Sequence, residues 1–212
     1  MLKINEIFYS LQGESTMAGR PCIFIRLAGC NLRCAYCDTK NAYDKGIMMS
    51  VDQVLRAINK YDCPLALVTG GEPLMQEHAF SLIDKLMDLN YQVMLETNGS
   101  QDIQKVPEGV LTVLDFKCPG SGESDKNLYS NIDFLSPVDN VKFVITDRTD
   151  YEWASDVIFD YGIFEMCEVL MSPAHGILDI RQLGEWILHD HMPVRLQPQL
   201  HKLLWGAEVE GR

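Results

Sequence analysis

Short apolar runs recur along this chain at Cys22–Leu27, Leu65–Thr69, Tyr91–Glu96, Leu111–Lys117 and Asn140–Thr146. Runs that are apolar on successive residues, rather than on alternate ones, read as strands buried on both faces of a sheet. Helical stretches separate them. Ser50 and Gln53 form a capping box for a helix running to about Asn59, and Phe80, Ile83, Leu86 and Met87 recur at helical spacing between Glu77 and Asn90. Further helices are predicted over Thr149–Tyr161 and Ile180–Asp190, and further strands at Ile4–Leu11, Glu168–Met171 and Val194–Leu196. Strand alternating with helix demands right-handed crossovers and a mainly parallel sheet. About six parallel strands fall short of the eight that close a barrel, so the expected class is α/β, a partial, open TIM-like barrel with outer helices.

Polar groups follow the strands again and again: Cys30 to Asp38, Thr69 to Glu72, Glu96 to Asn98, Asp115 to Lys117, and Ser172. In a parallel sheet all those ends lie on one face, where such folds hold their ligands. The composition has no break, so one domain over 1–212 is expected, with an N-terminal substrate and cluster segment 1–45, a barrel core 46–200 and a tail 201–212. A net charge of −12 repels a phosphate backbone, and no basic run offsets it, so nucleic acid is not an expected partner. No segment has the apolar length of a bilayer span, and Glu6 interrupts what would be the apolar part of a signal peptide. Seven cysteines, an odd number with three close together, do not make the paired framework of a secreted domain. A cytoplasmic protein without membrane attachment is expected.

Cys30, Cys34 and Cys37 stand in a C-x3-C-x2-C spacing on the loop leaving an apolar strand. Structural zinc takes four ligands, usually from two pairs, and no second pair exists; Cys22, Cys63, Cys118 and Cys167 are scattered, mostly through apolar stretches. Three thiolates can instead hold an iron-sulfur cubane and leave one iron for an outside ligand. Gly70 and Gly71 are by themselves ordinary turn chemistry. Arg26 interrupts CIFIRL, and its guanidinium must meet a carboxylate of the protein, a ligand anion or solvent.

With Tyr36 inside it, the cysteine motif resembles that of the radical S-adenosylmethionine superfamily, and Gly70-Gly71-Glu72-Pro73 resembles its GGEP motif. The resemblance implies a barrel-derived fold, a 4Fe-4S cluster on the three cysteines, and S-adenosylmethionine chelating the open iron. It also implies a 5'-deoxyadenosyl radical that removes a substrate hydrogen. Glu96 and Asn98, and Asp115 with Lys117, would then serve the sulfonium, ribose and adenine; Asp115 could instead simply pair with Lys117.

A narrower resemblance runs through Ile4 to Phe8, Leu11 to Glu14, Phe24 to Cys30, Cys37 to Thr39, and the tail Gln199 to Lys202 with Trp205. These stretches resemble the 7-carboxy-7-deazaguanine synthase family of queuosine and 7-deazapurine biosynthesis. Its reaction contracts 6-carboxy-5,6,7,8-tetrahydropterin to 7-carboxy-7-deazaguanine, with hydrogen taken from C6 and ammonia lost. By position, the resemblance implies substrate contacts from Leu11, Gln12, Gly13, Glu14, Arg26 and Thr69. It implies cofactor contacts from Tyr36, Cys37, Asp38, Gly71, Asp115, Phe116, Lys117 and Ser172, and Mg2+ on Thr39. An electron donor such as a flavodoxin or ferredoxin and a homodimer are implied partners. Some members have Ser-Pro-Lys where this chain has Asp115-Phe116-Lys117, and Gln-Pro where it has Ser172-Pro173. Two competing readings are a glycyl-radical enzyme activase, which would not require Gln12, Arg26 and Thr39 together, and a non-catalytic iron-sulfur or zinc module, which would require a fourth ligand.

Overall fold

The computed structural model describes residues 1–206; the remainder of the predicted tail, 207–212, lies outside the described residues. Nine strands form one sheet. They are β1 (Leu2–Leu11), β2 (Pro21–Leu27), β3 (Ile47–Met49), β4 (Leu65–Gly70), β5 (Gln92–Thr97), β6 (Leu111–Phe116), β7 (Asn140–Ile145), β8 (Glu168–Pro173) and β9 (Arg195–Leu196). The order across the sheet is β3-β1-β2-β4-β5-β6-β7-β8-β9, with β3 and β9 at opposite edges, so the sheet is open. From β2 through β9 every neighbouring pair is parallel, as the strand–helix alternation demands. The two edge additions on the other side, β1 on β2 and β3 on β1, are antiparallel. Six substantial parallel strands and a two-residue seventh agree with the expected partial barrel.

The helices are α1 (Val51–Ile58), α2 (His78–Asp88), α3 (Arg148–Asp160), α4 (Ile163–Met166), α5 (Ile180–His189) and α6 (Leu200–Trp205). Ser50 and Gln53 close the capping box at the head of α1, each side chain bonding the other's backbone N–H. Asn90 ends the α2 region with a φ of 62°, the left-handed turn that asparagine tolerates. Helix α2 packs on β4 and β5, α3 on β7, and α5 on β8 and β9. Their buried residues, such as Leu82, Ile83 and Leu86 of α2 and Ala154 and Ile158 of α3, join one hydrophobic cluster with the strands. The short β3 and the tail helix α6 carry no apolar period long enough to be seen in sequence, and both are additions to the predicted elements.

Side chains alternate across each strand, and the set facing the barrel interior turns polar toward the strand ends. Phe24 and Arg26 of β2, Leu67 and Thr69 of β4, Glu96 of β5, Asp115 of β6, and Lys142 and Val144 of β7 all face one cavity. Register aligns this belt, with Arg26 opposite Thr69 and Asp115 opposite Lys142.

Candidate active site

The cavity holds about 700 Å³, within the range of small-molecule sites, and opens at the carboxyl ends of the parallel strands. Cys30, Cys34 and Cys37 stand on its rim. Their loop leaves β2 at Gly29, whose φ of 102° suits glycine. It is tied down by backbone bonds from Ala35 to Ser121 (2.9 Å) and by the Arg33 amide donating to Glu123 (2.6 Å). The Leu32 amide (3.4 Å) and the Asn98 side-chain amide (3.8 Å) both donate to Cys30 Sγ, as second-sphere donors to a cluster thiolate do. Burial pushes the Cys34 thiol up to about 11 and raises Cys30 as well, so their deprotonation calls for a cation beside them. Among the described residues no three His, Cys, Asp or Glu side chains converge as ligands of a single metal ion.

The exit of β4 is pressed against this loop. The Gly71 amide donates to the Leu27 carbonyl (3.1 Å) and the Glu72 amide to the Gly29 carbonyl (2.7 Å). A Cβ on Gly71 would run into the Gly29 carbonyl and the Cys30 side chain, which is why the approach requires glycine. Glu72 is fully buried and accepts from the Leu74 amide (2.9 Å), the Asn98 amide (2.7 Å) and the Thr97 hydroxyl (2.8 Å). Burial raises its carboxyl in spite of those donors. Glu72 therefore joins the β4 exit to the β5 exit and leaves the Gly70-Gly71 backbone facing the cavity.

On the other wall, Leu11, Gln12, Gly13 and Glu14 line the cavity beside Arg26. Gln12 shapes its own turn, its Oε1 accepting from the Gly13 amide at 2.8 Å. Of the partners expected for Arg26, the carboxylate is present: its Nε pairs with Glu6 Oε1 at 2.8 Å, and Arg26 lines the cavity. Tyr36, Asp38 and Thr39 line the same rim, and the Tyr36 hydroxyl is buried with no partner among the described residues. The Thr39 hydroxyl donates to Asp38 Oδ1 at 2.9 Å and keeps its lone pairs.

Two expected cofactor contacts stand outside the cavity lining. Phe116 does not line the cavity; strand alternation sends it to the opposite face, where its ring packs against Tyr129 and Phe143. Ser172 is buried beside Val144 in register, with its hydroxyl unpartnered among the described residues, but it does not line the cavity, which Ala174 and His175 reach instead. Asp115 does pair with Lys117 (3.0 Å), and it also faces the cavity with its partner.

Lys142, which sequence reasoning passed over, and two tail residues to which the resemblance gave no site role complete the site. Lys142 is 5% exposed and pairs with Glu14 (2.8 Å), Glu96 (2.6 Å) and Asp115 (3.0 Å). Its signal was present: a lysine interrupting NVKFVIT as Arg26 interrupts CIFIRL. In the tail, Gln199 donates to Glu14 Oε1 (2.6 Å), and Lys202 donates to Asp38 Oδ2 (2.6 Å) while the Leu200 amide bonds the Gly13 carbonyl (2.9 Å). The tail thus bridges the Gly13-Glu14 turn to the cysteine loop. Lys202 holds the Asp38 carboxyl far below the usual range against the opposing effect of burial. Burial lowers His201, whose ring lies where a Gly13 Cβ would be.

An open parallel barrel with three cysteines at the first parallel strand's end and a glycine pair at the next is the architecture of a radical S-adenosylmethionine enzyme. Residues 24–113 match the model of the Radical SAM superfamily. A 7-carboxy-7-deazaguanine synthase from Chlorobaculum tepidum is 41% identical over 99% of this chain and 97% of its own length. One from Koribacter versatilis is 40% identical over 99% and 100%. The crystal structure of QueE from Escherichia coli superposes with a TM-score of 0.79 at 23% identity, covering 94% of each chain. The chain belongs to the 7-carboxy-7-deazaguanine synthase family.

Proposed function

We propose that this chain catalyses the radical ring contraction of 6-carboxy-5,6,7,8-tetrahydropterin to 7-carboxy-7-deazaguanine, with release of ammonia, in queuosine and 7-deazapurine biosynthesis. One observation carries the reading: the cysteine rim, the Gly70-Gly71 backbone and a wall of Arg26, Glu14 and Thr69 share a single cavity.

The residues present fit the two resident cofactors of the class. Three thiols on one loop at the rim suit a 4Fe-4S cluster; burial raises Cys30 and Cys34, and Cys30 already receives amide donors. A Cβ-free Gly71 against the cysteine loop suits S-adenosylmethionine, whose ammonium group calls for backbone carbonyls. When bound and reduced, this pair supplies a 5'-deoxyadenosyl radical that takes hydrogen from the substrate. Every other part of the work falls to the protein, which binds, orients and shields.

In this reading Arg26 receives the substrate carboxylate on the part of its fork that Glu6 does not occupy, a planar match that lysine lacks. Glu14, held ionised by Lys142 although burial opposes it, accepts N–H groups from the pterin edge. Thr69, whose hydroxyl donates to Glu96 Oε2 at 3.3 Å, meets the ring from β4. Thr39 offers an oxygen to Mg2+, which prefers few protein ligands and retains water. Tyr36, Asp38, Glu96, Asn98, Asp115 and Lys117 surround S-adenosylmethionine. The tail helix over Gly13 and Glu14 excludes water and favours a small substrate over a protein backbone. A low-potential carrier such as a flavodoxin or ferredoxin delivers the electron, and a homodimer is the assembly the resemblance implies.

The test is turnover. Protein reconstituted anaerobically with iron and sulfide, then reduced, is incubated with S-adenosylmethionine, Mg2+ and the carboxypterin, and the product is followed by mass spectrometry. Formation of 7-carboxy-7-deazaguanine is expected. Its absence while a relative run in parallel produces it would overturn the reading.

A further inference from the structure

Lys142 occupies the floor of the cavity, and its surroundings define what it does. An ammonium group has three N–H donors. Around Lys142 Nζ stand three carboxylates from three different segments: Glu14 Oε2 at 2.8 Å, Glu96 Oε1 at 2.6 Å and Asp115 Oδ2 at 3.0 Å. Its donors are fully engaged, so it does not bind a ligand directly. Each carboxylate then turns its other oxygen to a second residue of the cavity wall. Glu14 Oε1 accepts from Gln199 (2.6 Å), Glu96 Oε2 from Thr69 (3.3 Å), and Asp115 Oδ1 pairs with Lys117 (3.0 Å).

We infer that Lys142 is a positioning residue that keeps Glu14 ionised and aimed into the cavity as an acceptor for the N–H edge of the substrate; this rests on the pterin reading above. Without the ammonium, three neighbouring carboxylates repel one another in a partly desolvated site, and one or more takes up a proton. A protonated carboxyl offers a donor where the substrate's amino and amide groups need an acceptor. The charged and titratable groups facing Glu14 are Lys142 from β7, Glu96 of β5 and Asp115 of β6, which share that ammonium, and His201 from α6. Burial lowers His201, so the cation on which Glu14 depends is Lys142.

The test uses cluster-loaded protein carrying Lys142→Met, which keeps length and removes charge. Calorimetric binding of 6-carboxytetrahydropterin should weaken by about ten- to hundredfold, the loss expected for an unpaired buried acceptor. The acidic limb of kcat/KM should move up by about one pH unit or more. Lys142→Arg should restore most of the binding and return the limb. The cluster's electron paramagnetic resonance spectrum should match the parent. Unchanged substrate binding and an unchanged limb in folded Lys142→Met would overturn the inference; so would equal weakening with no movement of the limb, which marks a merely structural role. Should the methionine variant not fold, Glu96→Gln reads the same coupling: with one carboxylate fewer sharing the ammonium, the Glu14 limb should move down, and an unmoved limb would refute it. A parent enzyme that makes no product from the carboxypterin would defeat the functional reading, a result distinguishable from any of these.

Discussion

Replacing Glu72 by alanine should do more damage than any loss of contact area suggests. The side chain is fully buried and gathers the Leu74 amide, the Asn98 amide and the Thr97 hydroxyl. Alanine leaves the two backbone donors without an acceptor in a site that water does not reach, while the hydroxyl can rotate to another partner. At about 1–3 kcal/mol for each stranded buried donor, the loss is about 2–6 kcal/mol. A chain of this length loses about 2–4 °C in Tm per kcal/mol, so the expected fall is about 4–24 °C. Scanning calorimetry of the cluster-free protein reads it. S-adenosylmethionine affinity of the loaded protein should fall as well, because Glu72 is what ties the Gly70-Gly71 exit to Asn98. A loss under about 1 kcal/mol would refute the reasoning, since it would mean that both amides find water or a new acceptor.

Gly71→Ala should abolish S-adenosylmethionine binding or deform the cysteine loop, because its Cβ meets the Gly29 carbonyl and Cys30; equilibrium dialysis and the reduced-cluster spectrum separate the two effects. Gly13→Ala should displace the tail, since the new methyl overlaps the His201 ring; faster proteolysis near Leu200 and a raised KM are expected, with the cluster spectrum unchanged. Acid should weaken the fold through Glu14. Its folded carboxyl lies below its ordinary value of 4.5, so its stabilising contribution is present above that pH and is lost as pH falls through the folded value. Acid titration followed by circular dichroism should accordingly show a smaller loss in Glu14→Gln than in the parent.

Much of the site was legible because its signals are local. Three cysteines within eight residues, a glycine pair at a strand end and an arginine in an apolar strand each announce themselves without knowledge of the fold. Lys142 carried the same local signal as Arg26 but lacked meaning alone, since its partners Glu14 and Glu96 lie 128 and 46 positions away. The tail was harder still. Gln199 reaches Glu14 across 185 positions and Lys202 reaches Asp38 across 164, contacts that only the tertiary fold brings about. The Phe116 side chain lies outside the cavity lining for a simpler reason: as the middle residue of Asp115-Phe116-Lys117 it faces away from its neighbours. Strand β3 was missed because three residues are too few for a period.

The central question is whether the cofactor at the cysteine rim acts on a carboxypterin held by the opposite wall. Substrate deuterated at C6 tests this in one experiment, with mass spectrometry of the S-adenosylmethionine pool during turnover. In the family the resemblance points to, S-adenosylmethionine is regenerated after its radical takes the C6 hydrogen, so deuterium from C6 should appear in S-adenosylmethionine as 7-carboxy-7-deazaguanine forms. Product formation with no label in that pool would contradict the account.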